Sequence, residues 1–151
     1  VQFADMNALG LALLPKPHRP QYTEVSIHLD GIPLVDQLRR PEPRQSENYF
    51  RWNRARSLLT PGRHLLGTPR FPRYEGFSEI LVCTCGETFC MALVVKAQVW
   101  PRHVGWLAWR IGSQGHTSPC DEPRPMLFGR SQYEAEVARV SEQYDRVRPD
   151  G

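Results

Sequence analysis

Residues 22–29 alternate between apolar and polar positions. Val25, Ile27 and Leu29 fall on one side, and Glu24, Ser26 and His28 on the other. That period of two predicts a half-buried strand. Asp30-Gly31 predicts a turn after it. Residues 32–40 begin as a short extended stretch and turn helical, with Leu34, Val35 and Leu38 on one face, until Pro41 stops them. Ser46 is placed to cap a short helix from Glu47 to Leu59, with Tyr49, Trp52 and Leu59 inward. Ser78 to Cys83 reads as a buried strand. Met91 to Val99 reads as another, with Leu93, Val95, Ala97 and Val99 inward and Lys96, Gln98 and Trp100 on the opposite face. Pro101 to Gly105 turns the chain. Trp106 to Ile111 returns, with Leu107, Trp109 and Ile111 on one face. Residues 112–125, rich in Gly, Ser and Pro, read as loop, and Met126 to Phe128 as a last short strand.

The strongest helix signal is C-terminal. Ser131-Gln132-Tyr133-Glu134 has the spacing of a capping box. Tyr133, Val137, Val140 and Tyr144 then recur at helical spacing, and Arg146 and Arg148 suit the C-terminal end. Leu9 to Leu14 is apolar but short, lacks a basic flank and ends at Pro15. It reads as a strand or short helix docked on the body, not as a secretory signal or membrane span. The elements predict one α+β domain over residues 22–146: an antiparallel sheet of about four strands with the C-terminal helix packed on it. Residues 1–21 form an N-terminal extension and 147–151 a tail.

Charge changes the picture locally. The net formal charge is +3, but nine Arg stand between Arg39 and Arg73 against only Glu42 and Glu47. Arg51, Trp52, Arg54 and Arg56 interleave cations with a ring, the pairing that neutralises phosphates and stacks on unpaired bases. Nucleic acid is therefore one expected partner class. No helix-turn-helix, RNP or finger pattern accompanies the segment, and a solvated Arg-rich loop is the plainer reading.

The most distinctive motif is Cys83-Thr84-Cys85-Gly86-Glu87-Thr88-Phe89-Cys90, leading into the central hairpin. Gly86 permits a tight turn that aims several sulfurs at one point. The hairpin return predicts that His116 and Cys120 approach this loop. Cys83, Cys85, Cys90, Cys120 and His116 are thus the candidate ligands of a structural zinc ion, which wants four tetrahedral donors. Ordinary buried thiols and a disulfide are the other readings. A reactive thiol enzyme or redox sensor is a further alternative, without an evident activating His.

The Cys83–Cys90 loop, the hairpin after it and the Phe128-Gly129-Arg130-Ser131-Gln132-Tyr133-Glu134-Ala135 helix start resemble a group of small actinobacterial proteins. These share a Cys-x-Cys-Gly loop with a following Cys, then a hairpin, then a Phe-x-Arg-x-Gln-Tyr-Glu helix start. The resemblance implies a common fold and a bacterial cytoplasmic origin, and it carries no activity.

No phosphate loop, nucleophile elbow, His-Glu-x-x-His or dinucleotide fingerprint occurs. The leading expectation is a non-enzymatic interaction or accessory protein that contacts another protein. Trp100 and Trp106, placed on the outer face of the hairpin, are the candidate contact residues, provided that nothing covers that face.

Overall fold

In the computed structural model, residues 6–15, 23–37, 50–53, 65–67, 74, 76–83, 92–119 and 125–147 are described. Their elements run β1 (Leu9–Pro15), β2 (Thr23–Leu29), β3 (Ile32–Pro33), α1 (Leu34–Gln37), β4 (Phe50–Asn53), β5 (Ser78–Cys83), β6 (Ala92–Val99), β7 (His103–Ser113), β8 (His116–Pro119), β9 (Met126–Gly129) and α2 (Arg130–Val147). The fold is α+β, with antiparallel strand pairs and one long C-terminal helix. It holds nine strands among the described residues, where about four are expected from the pattern. Among the same residues, no helix is long and apolar enough to cross a membrane.

The main path is β1-β2-β4-β5-β6-β7-β8, with β3 paired to β2 and β9 paired to β7. The short strand β4 joins two groups of strands. Its Phe50 and Arg51 pair with Cys83 and Val82, while Trp52 and Asn53 pair with Val25 and Glu24. The helix expected over 47–59 is therefore corrected at 50–53. Pairing with strand edges on both sides overrides a weak helical pattern in Phe50-Arg51-Trp52-Asn53.

β2 follows its alternation. Val25, Ile27 and Leu29 are buried, and Ser26 and His28 lie on the other face, hydrogen-bonded at 2.9 Å. Asp30 (φ 57°) and Gly31 (φ 82°) make the predicted tight turn. The stretch expected as an N-terminal extension includes β1, a full partner of β2, which buries Leu9 and Leu11 in the main core.

β1 is also held along its other edge. Asn7 bridges Phe128 of β9 in parallel, with Asn7 N–H donating to Leu127 C=O at 2.8 Å. Beyond this point β9 becomes α2, and helix side chains continue the ladder. The Gln132 amide accepts from Leu9 N–H (3.1 Å) and donates to Leu9 C=O (2.7 Å). Glu136 accepts from Leu11 N–H (2.8 Å), and Arg139 donates to Leu11 C=O (2.5 Å). The spacing explains the match. Two strand residues advance about 6.8 Å and four helix residues about 6 Å, so positions 132 and 136 track positions 9 and 11. The first half of an edge that would attract foreign strands is thereby closed.

Glu136 links this ladder to pH. Its hydrogen bond from Arg139 holds its carboxyl below the usual range, burial opposes this, and the Leu11 N–H adds to the lowering. A depressed folded-state pKa contributes stability above the unfolded value of about 4.3, and this is lost as pH falls through the folded value. The acid limb of a stability–pH curve is expected to flatten in Glu136→Gln. An unchanged limb in chemical denaturation would show that the ladder does not depend on this charge.

The helix stripe packs as predicted: Tyr133, Val137 and Val140 are buried against the strands. The expected capping box does not form as drawn. α2 begins at Arg130, whose N–H donates to Arg102 C=O at 3.0 Å. Glu134 accepts from Arg130 Nε at 2.5 Å rather than reaching back to Ser131. Because β9 runs straight into the helix, the hairpin turn supplies the cap that a Ser would otherwise provide.

Candidate functional site

The hairpin β6–β7 has two faces with different fates, and a bulge decides which tryptophan goes where. Val95 pairs with Trp109, yet Ala97 pairs with Trp106, so three residues of β7 advance against two of β6. The extra residue resets the alternation. Trp106 and Trp109 therefore share the inner face, with ring centroids 5.5 Å apart and edge-to-face. Trp106 is 0% exposed. It meets Phe128 (5.1 Å between ring centroids) and Tyr133 (6.4 Å), both edge-to-face. Its Nε1–H donates to Tyr133 Oη at 3.0 Å, and the Tyr133 hydroxyl donates to Leu65 C=O. Burial pushes the Tyr133 phenol well above its ordinary range, and the Trp106 hydrogen bond offsets this only in part. Trp106 is thus a core residue, and the expected outer-face pairing of Trp100 with Trp106 is corrected.

Trp100 does lie outward, half-buried. It is held over Gly105: a Cβ there would come within 2.7 Å of Trp100 Cζ3 and 3.0 Å of Leu107 Cδ2. The two side chains meet above a residue that must lack one. Leu107, expected inward, is 40% exposed because the bulge turns it out. Half-buried Leu127 pairs with Gly105 and extends the same face. At the opposite end this face is closed: Tyr74 and Phe77 pack over Ala92 and Val94, and a Cβ at Gly112 would meet the Tyr74 ring at 2.6 Å. The outer face is therefore apolar and covered near Ala92, and apolar and open near Trp100.

Charge marks the open end as well. Each described arginine of α2 has a carboxylate partner: Arg130 with Glu134, Arg139 with Glu136 and Arg146 with Glu142. Among the described residues, Lys96, Arg102 and Arg110 have no such partner. Lys96 stands across from Leu107 at the bulge, and Arg102 occupies the turn beside Trp100. Arg110 donates through Nε to Thr117 Oγ1 at 2.7 Å.

The other candidates are not assembled by the described parts. Cys85, Cys90, Cys120, Arg54 and Arg56 lie outside the described residues. Cys83 ends β5, and Arg51 and Trp52 sit within β4. Of the predicted approach of His116 and Cys120 to the Cys83–Cys90 loop, the described residues include His116 and Cys83, which the sheet order holds apart. His116 is exposed at the start of β8, a strand absent from the loop reading of 112–125. Strands β6 and β7 stand between it and Cys83, so about three strand spacings, roughly 14 Å of sheet, separate them. Zinc ligand atoms lie about 2.0–2.3 Å from the ion, and backbones that far apart do not converge on one. Among the described residues, no group of three or more His, Cys, Asp and Glu could hold a metal ion.

Alternation places Lys96 and Trp100 on this face, but it does not place Gly105 and Leu107 there. One signal was present: Gly105, isolated in a strand between Val104 and Trp106, marks a close approach by another group. No protein-family model, curated protein or solved structure matches the chain.

Proposed function

We propose that this protein is a non-catalytic interaction module whose contact surface is the open outer face of the β6–β7 hairpin. The observation that carries this reading is the ridge of Trp100 and Leu107 over Gly105, left open where Tyr74 and Phe77 cover the rest of the same face. A half-buried Trp with apolar neighbours and a polar margin containing Arg is the composition of interface anchors. The described histidines do not converge: His103 begins β7, His116 begins β8 beside the far end of β7, and His28 is on β2. That dispersion favours binding over acid–base chemistry.

Selection from a displayed random nonapeptide library tests the reading. Sequences binding the wild-type protein at least about tenfold more tightly than Leu107→Asp are expected, a difference of about 1.4 kcal/mol. If every recovered sequence binds the two equally, this face is not the contact surface.

A further inference from the structure

Resting on that reading of the hairpin face, we infer that its occupant is an extended protein segment with carboxylates at both ends and apolar side chains at its centre. The argument begins with the distribution of paired and unpaired cations. The helix neutralises its own arginines within one turn, by i,i+3 or i,i+4 partners. On the hairpin, Lys96, Arg102 and Arg110 lie around the ridge with no ion-pair partner among the described residues, and Glu79, across from Val94 on the same face, is buried. The same chain thus leaves positive charge uncompensated at the place where it leaves apolar surface open. Such charge is complementary to an acidic partner and repels a basic one.

Register fixes the spacing. Arg110 pairs with Val94, so Lys96 is its diagonal neighbour, about 7 Å away on the same face. From Lys96 to Trp100 the strand advances four residues, roughly 13 Å, and Arg102 stands just beyond in the turn. Two cations mark one end, level with Leu107, and one marks the other, with the Trp100 ring, Gly105, Leu127 and exposed Gln98 between them. An extended segment of about five or six residues spans this distance. A nucleic-acid strand fits less well. Its charges repeat at every nucleotide, whereas the middle of this surface is uncharged.

The test uses the full chain and four fluorescent probes. Three are nonapeptides with one shared Leu-Phe-Leu centre, bearing two Glu, two Gln or two Lys at each end. The fourth is a single-stranded oligothymidylate. The Glu-ended peptide is expected to bind at least about tenfold more tightly than the Gln-ended one at low salt, and the Lys-ended peptide weakest. The double variant Lys96→Glu, Arg102→Glu changes two exposed positions, and an unchanged circular dichroism spectrum verifies its fold. It is expected to reverse the order of the Glu-ended and Lys-ended peptides, and added salt to narrow their difference. Equal binding of all three peptides, lost in Leu107→Asp, would keep the contact surface and overturn the acidic occupant. Tighter binding of the oligothymidylate, lost in the double variant, would replace the occupant with nucleic acid. No binding of the Glu-ended peptide would also overturn the inference, and the library selection would then judge the surface separately.

Discussion

Replacing Trp106 by alanine is expected to destabilise the fold by about 3–5 kcal/mol, the range for large buried aromatic residues. The side chain is fully enclosed and meets three other rings, Trp109, Phe128 and Tyr133, in edge contacts. Its removal leaves a cavity that rigid strands on one side and α2 on the other cannot close. Domains of this size hold about 5–15 kcal/mol in total, so the variant would keep a fraction of it. Urea denaturation monitored by circular dichroism measures the effect. The counterpart Trp100→Ala removes a half-buried ring from the surface and is expected to cost about 1 kcal/mol. Equal losses in the two variants would contradict the bulge and return Trp106 to the outer face.

The second large effect is expected in Tyr133→Phe, about 2–4 kcal/mol for the loss of one oxygen. The ring volume is kept, so little packing changes. What changes is that Trp106 Nε1–H and Leu65 C=O, both served by this hydroxyl, lose their partner inside the core. Each buried group left unsatisfied costs about 1–3 kcal/mol. A double-mutant cycle with Trp106→Phe separates the two, because removing both ends of the first bond leaves only the carbonyl unmet. The expected coupling is about 1–2 kcal/mol. A single-variant loss below about 0.5 kcal/mol would mean that water reaches the site.

Much of the frame was legible because simple periods dominate where one face is buried. β2, β6 and the Tyr133–Val137–Val140 stripe follow from alternation or helical spacing, and β5 from a short apolar run. The failures share a different cause. The bulge in β7 inserts one residue that no local preference announces, and it exchanges the fates of Trp106 and Leu107. β8 escaped because its turn, Gln114-Gly115, uses Gln at φ 52° where Asn or Asp is the stronger signal, and its residues are polar. β4 is held by strands on both sides rather than by its own propensity. The open hairpin face was half legible: Trp100 stands where alternation puts it, while Leu107 and the uncompensated cations depend on register and on side-chain partners.

The helix-made edge of β1 has a consequence for how the chain reaches this structure. The bonds from Leu9 and Leu11 to Gln132, Glu136 and Arg139 join residues 123 to 128 positions apart. Contacts so distant in sequence form slowly, since a long loop must close before they reward it. During synthesis the N-terminal strand therefore waits, with one side unguarded, until nearly the whole of this segment has left the ribosome. In that interval its free edge is open to capture by a chaperone or by a neighbouring chain. Helix α2, made after every strand that it helps to hold, is what ends that vulnerability.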